Sequence, residues 1–249
     1  MNVWDLICER KSFFMDLCLE HLMISGIAIL IAIAAGGLIG IWLAEYRKFS
    51  KPVIAVVNFL YTIPSISMLG FLIPLSGIGN VTAILALTIY ALLPMVRSTF
   101  TGITNVDENM MEAAKGMGST RGQILRKIKI PLALPVIMSG IRNMVTMTLA
   151  LAGIASFIGA GGLGVAIYRG ITTNNTSMTI VGSLLIAVIA LLADFLLGIA
   201  EKAMQKKAKS RGRRKRKIAF AAALLAALCM VSFGVYSATK KTDTIQIAT

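Results

Sequence analysis

Glu112-Ala113-Ala114-Lys115-Gly116-Met117-Gly118, followed by Ile128-Lys129-Ile130-Pro131, lies on a basic stretch between two long apolar segments. Asp107 and Glu108 suit the start of a helix there, because carboxylates complement the positive end of the helix dipole. Met110, Met111, Ala114 and Met117 then fall on one apolar face at helical spacing. Gly118 stops this helix, since glycine tolerates the left-handed conformation of a C-terminal cap. A second short helix is expected over 120–129, ending before Pro131. Small residues at Ala113, Ala114 and Gly116 leave room for a partner surface to approach closely.

The rest of the chain is oily. Hydrophobic residues make up 57% and charged residues 14% of the 249, with mean hydropathy +0.80. An ordinary soluble domain carries roughly 25% charged residues, so the chain reads as a polytopic membrane protein. A hydrocarbon core about 30 Å thick needs roughly 20 apolar residues per helix. Uncharged stretches of that order run over 22–44, 52–96, 143–168, 170–193 and 218–239. The second holds two spans, broken near 77–80. Six helices are therefore expected, at about 22–45, 53–75, 80–105, 131–158, 177–200 and 217–238.

The net charge of +14 sits in short runs between spans, which points to membrane orientation and not to a nucleic-acid face. Loops 45–52, 106–130 and 201–217 together carry eighteen Lys and Arg. Only five (Arg10, Lys11, Arg169, Lys240 and Lys241) fall on the other side, and Arg97 and Arg142 lie within spans. Cytoplasmic loops hold the excess of cations, so residues 112–131 face the cytoplasm and both termini lie outside. Residues 1–20 mix charge with Trp4, Leu6, Ile7, Phe13, Phe14 and Leu17, as an amphipathic helix on the outer interface would.

On these residues the chain resembles the permease subunits of bacterial ABC importers. The family signature is Glu-Ala-Ala, three residues, Gly, nine residues, Ile, one residue, Leu-Pro. Glu112, Ala113, Ala114, Gly118, Ile128 and Pro131 match it in spacing, with Ile130 in place of the usual Leu. The likeness covers roughly residues 20–201. Tyr61-Thr62-Ile63-Pro64-Ser65-Ile66-Ser67-Met68-Leu69-Gly70, Gly77-Ile78-Gly79 and Gly159-Ala160-Gly161-Gly162-Leu163-Gly164 look like the osmoprotectant branch, which imports glycine betaine, choline and carnitine. Methionine-importer permeases share the fold and a similar glycine-rich stretch, so a methionine or amino-acid importer remains the alternative.

The resemblance implies an all-α, methionine-permease-like type-1 transmembrane domain whose 112–118 helix couples it to a separate cytoplasmic ATPase. It implies a second permease subunit, identical or different, and an extracellular solute-binding domain. The P-loop pattern GxxxxGK[ST] is absent, so no catalytic site and no cofactor are expected in this subunit. An ion-coupled transporter would show an internal repeat and ion-binding groups near the midplane, and neither is visible.

Gly159-x-Gly161-x-x-Gly164 formally matches a dinucleotide fingerprint. That motif needs a preceding strand and an acidic residue about 20 positions on, whereas here the next is Asp194. The glycines are better suited to a tight re-entrant turn or close packing near the translocation path. Pro64 and Pro74 remove hydrogen bonds from the second span and free carbonyls such as that of Leu60. Broken helices in membranes line cavities or pack against protein, and Ser65 and Ser67 add small polar surface, so 61–68 is a candidate for pore lining.

Asp194 lies seven residues before Glu201, roughly 10 Å into the membrane at ~1.5 Å per residue. Intramembrane charges are costly and pair; Arg97 and Arg142 are the candidate partners. His21, the only histidine, sits at an expected helix start and builds no metal site. The methionines suit packing, and the three cysteines lack metal or scaffold spacing. The polybasic run 211–217 suits anionic lipid.

The expected division is an interfacial segment 1–20, the permease domain 21–201, a basic linker 202–216, an extra transmembrane helix 217–238 and an extracellular stretch 239–249. The last opens like a β-strand at 244–248, as in importers that fuse permease and binding domain through such a helix.

Overall fold

The computed structural model describes residues 3–208, all of them in helices or short connections. Helix α1 (Val3–Glu9) leads into the long α2 (Lys11–Glu45). A 3₁₀ turn at Arg47–Phe49 opens α3 (Ser50–Thr62), and α4 (Ser65–Ser76) follows after two residues. Then come α5 (Asn80–Thr104), α6 (Glu108–Gly116), α7 (Arg121–Ile124) and α8 (Ile130–Ala152). A 3₁₀ segment at Gly153–Ile158, α9 (Gly164–Thr172) and α10 (Thr176–Ala208) complete the described chain. Among the described residues four helical stretches are long and apolar enough to cross a membrane, or five if the bent α3–α4 pair is one span. The expected helix at 217–238, the linker beyond 208 and the extracellular stretch lie outside the described residues.

These helices pack through small residues, as membrane helices do when lipid offers no hydrophobic drive to association. A Cβ added to Gly40 of α2 would lie 2.6 Å from Thr99 Cβ and 2.9 Å from the Val96 carbonyl of α5. One on Gly140 of α8 would lie 2.1 Å from Ser98 Cβ and Oγ. Helix α5 therefore runs between α2 and α8 at near-backbone contact. Around that crossing Ala32, Ala91, Met95, Met144, Val145 and Ala190 form a buried cluster.

Helix α2 begins at Lys11, well before the apolar stretch. Asp16 and Glu20 do not interrupt a helix, and burial extends it: Leu6, Phe14 and Leu17 pack with Leu163, Ala166, Met178 and Val181 of the α9–α10 region. The amphipathic N-terminus thus turns apolar residues to the protein. His21 accordingly stands eleven residues into α2, fully buried, with Nε2 3.0 Å from the Leu149 carbonyl.

The second span breaks at Ile63–Pro64, where α3 and α4 meet at 100°. Pro64 has no N–H for the Leu60 carbonyl, and that carbonyl is reached instead by Ile63 N at 3.4 Å. The carbonyls of Tyr61 and Thr62, whose helical partners would be Ser65 N and Ile66 N, receive neither of them across the bend. Pro74, by contrast, sits inside α4 without breaking it. Helix α3 has no buried residue and α4 only Met68 and Leu69, so this span lies on the periphery of the single chain.

Candidate functional site

The polar loop is built by its own caps. Asp107 accepts a hydrogen bond from Asn109 N at 2.9 Å and starts α6. At the other end Ser119 N reaches the Ala114 carbonyl (3.0 Å) and Gly118 N the Lys115 carbonyl (2.9 Å), a Schellman motif that needs a left-handed residue. Gly118 supplies it, with φ +80°. Thr120 then forms a capping box with Gln123, satisfying orphan N–H groups of α7 reciprocally.

The second helix does not end before Pro131. Residues Leu125–Lys129 form a π turn, with Ile130 N bonded to the Leu125 carbonyl, and the chain continues into α8. The wider turn places Pro131 near the start of α8, where the missing N–H costs little. Lys129 Nζ lies 2.5 Å from Glu45 Oε1, tying the loop to the end of α2.

The expected methionine face does not close inward. Ala114 is buried, but Met110 is 52% and Met117 81% exposed, with Met111 between them half-buried. The short α6 has only one buried residue, so among the described residues most of its other positions stay uncovered. Glu112, Ala113, Gly116 and Gly118 are exposed as well, and Ile128 and Pro131 are half-buried. The loop therefore presents two bare methionines and a carboxylate on a braced scaffold.

Of the charges within spans, Arg142 meets Asp194 and Arg97 does not. Arg142 Nε and Nη2 donate to the two Asp194 oxygens at 2.6 Å each, and Nη1 to Glu201 Oε2 at 3.2 Å. The fork geometry ties α8 to α10 and, through Glu201, adds a partner one helical stretch further on. Arg97 is exposed on α5.

The glycine-rich stretch is held by residues that sequence reasoning missed. Gly162 N donates to Glu20 Oε2 (3.0 Å) and Gly161 N to Asn80 Oδ1 (2.8 Å), while Asn80 Nδ2 donates to Glu20 Oε1 (3.0 Å). A Cβ on Gly161 would fall 1.9 Å from the Glu20 carboxylate, and one on Gly164 2.1 Å from the Gly153 carbonyl. Gly162 and Gly164 are buried and Gly159 is exposed. The stretch is thus a close-packed clasp to α2 and α5. It adjoins the broken span: Met68 and Leu69 pack with Ile154 and Ile158 of the 3₁₀ segment, and Ile78 borders Gly159.

At the break itself Tyr61 is 40% exposed and Pro64 and Ser67 are open, with Ser65 half-buried. The Tyr61 ring meets that of Tyr90 edge-to-face at 5.8 Å, and the Tyr90 hydroxyl donates to the Ile63 carbonyl.

The family described as "Binding-protein-dependent transport system inner membrane component" matches residues 32–206. The chain is 39% identical over 201 residues to "Carnitine transport permease protein OpuCD" of Listeria monocytogenes serotype 1/2a (strain 10403S), covering 80% of this chain and 90% of that one. It is 40% identical over 216 residues to "Choline transport system permease protein OpuBD" of Bacillus subtilis (strain 168), covering 85% and 96%. Among solved structures, "Inward facing conformations of the MetNI methionine ABC transporter" aligns with TM-score 0.69 and 26% identity, over 74% of this chain and 93% of that one. The bare loop, the oily helices and the clasped glycine stretch thus belong to a multi-pass permease subunit of an ABC importer, served by a cytoplasmic ATPase and a solute-binding protein, and the chain is a member of the binding-protein-dependent transport system inner membrane component family.

Proposed function

We propose that this permease imports small quaternary-ammonium solutes of the betaine, carnitine and choline kind. The observation that carries the substrate class is its 39–40% identity, over most of both chains, to carnitine and choline permeases. Two permease subunits, identical or different, enclose the path, and α6 with its exposed Met110 and Met117 is the seat of the ATPase. The excess of cations puts α6, α7 and the loop at 45–52 in the cytoplasm and the N-terminal helix and the glycine clasp outside. Closure of the ATPase dimer shifts α6, and the spans tilt from inward-open toward outward-open. The path runs beside the break at Tyr61, Pro64, Ser65 and Ser67 and past Gly159–Gly164.

The test is reconstitution in vesicles with the cognate ATPase and binding protein, scoring uptake of labelled glycine betaine, carnitine, choline and methionine. ATP-dependent uptake of a quaternary ammonium with no uptake of methionine is expected. Uptake of methionine alone overturns the substrate class. A cysteine at Met117 that fails to crosslink to the ATPase overturns the docking seat.

A further inference from the structure

Two tyrosines and a helix end meet where the second span breaks. Tyr61, the penultimate residue of α3, keeps 40% of its surface open although it lies in an apolar span. Its hydroxyl is occupied by Met147 Sδ at 3.3 Å, which fixes the ring without using its face. Tyr90 is 6% exposed and backs it, with the ring planes turned 66° to each other. The Tyr90 hydroxyl holds the Ile63 carbonyl, so the second ring is anchored to the break itself.

Beside these rings α3 ends. Its last carbonyls carry the negative pole of the helix dipole, and those of Tyr61 and Thr62 lack their helical N–H partners across the bend. Broken membrane helices use such C-terminal ends to hold cations. A metal ion or an ammonium would demand direct ligands or hydrogen bonds. A quaternary ammonium asks for neither, only for π faces and dipoles against its methyl groups. An open ring face beside carbonyl dipoles therefore matches a permanently alkylated cation, and binds it weakly enough to let it go.

We infer that Tyr61, backed by Tyr90 and the free carbonyls at the end of α3, is a transit site in the permease for the quaternary-ammonium group of the solute. This rests on the substrate class and path proposed above. The site lets the permease itself, and not only the binding protein, favour an alkylated cation.

The experiment replaces Tyr61 by phenylalanine and by mono-, di- and trifluorinated phenylalanines in the reconstituted complex, with a Tyr61→Leu variant beside them. Fluorination drains the ring face of negative potential and leaves its shape nearly unchanged. Uptake of whichever quaternary ammonium the wild type moves is read together with ATP hydrolysis stimulated by loaded binding protein. Phenylalanine is expected to stay within about twofold of wild type, and the series to fall stepwise to roughly five- to tenfold at trifluorination, with stimulated hydrolysis retained. A flat series, leucine as good as phenylalanine, or hydrolysis falling in step with uptake overturns the transit site. If the leucine variant does not fold, the fluorinated series still decides. A wild type that moves no quaternary ammonium overturns the substrate class as well; transport with a flat series overturns only the transit site.

Discussion

Gly118 separates two ways in which a glycine can matter, and its substitution tests both. At φ +80° an L-residue pays roughly 1–2 kcal/mol for the left-handed conformation, a factor of about 5 to 30 at one decade per 1.4 kcal/mol. Sterics contribute nothing within the chain, since no heavy atom lies within 4 Å of a Cβ built there. Gly118→Ala should therefore weaken binding of the ATPase by about five- to thirtyfold, as the Schellman motif opens and α6 frays. Gly118→Asn should lose less than Ala, because asparagine tolerates this region, and Gly118→Val should lose more. Affinity is measured by titrating the ATPase against permease in nanodiscs, with thermal unfolding of the permease alone as reference. A loss of affinity larger than the loss of loop order measures how closely the partner surface approaches position 118. Alanine binding as tightly as wild type, or asparagine as poorly as valine, would refute the reasoning.

Other expectations follow from contacts of the same kind. Asp194→Asn should lower the yield of monodisperse permease in size-exclusion chromatography, because Arg142 then loses one limb of its bidentate partner; Arg142→Met with Asp194→Leu should recover it, whereas neutralising Arg97 should not. Gly140→Ser should destabilise the α5–α8 crossing by about 1–3 kcal/mol, and the reciprocal Ser98→Gly should restore much of it, read as resistance to denaturation by SDS. Glu20→Ala removes the acceptor shared by Gly162 N and Asn80 Nδ2 and should cost about 1–3 kcal/mol. Hydrogen exchange at residues 159–164 should rise in that variant while exchange in α8 stays unchanged.

The spans were legible because oil and charge alternate on the scale of a bilayer, and the loop because Asp107 and Gly118 are caps whose chemistry is local. Pro64 announced a break, but no sequence feature gives the 100° turn, which is set by α5 and the 3₁₀ segment packing on α4. The π turn ahead of Pro131 escaped because a proline signals a boundary whether the helix stops or merely widens. Helix α9 was hidden across the junction of two apolar stretches, where Arg169 reads as a loop charge although it lies within the helix. Asp194 was legible as a charge needing a partner, yet only the azimuth of α8 selects Arg142 over Arg97. Glu20 and Asn80 were invisible for a different reason. The backbone groups they hold lie 142 and 81 residues away, and nothing local in either residue points there.

The uninterrupted run from Arg121 to Ile158 has a mechanical meaning. Its 38 residues make a rod up to about 57 Å long at ~1.5 Å per residue, with its grip beside α6, where we propose the ATPase sits, and its far end abutting α4. Because the π turn keeps the rod continuous past Pro131, a rotation of one degree at the grip sweeps the far tip by about 1 Å. On that proposal the loop is the handle of a lever, and a few degrees of movement by the motor would shift the far tip by the width of a methyl group.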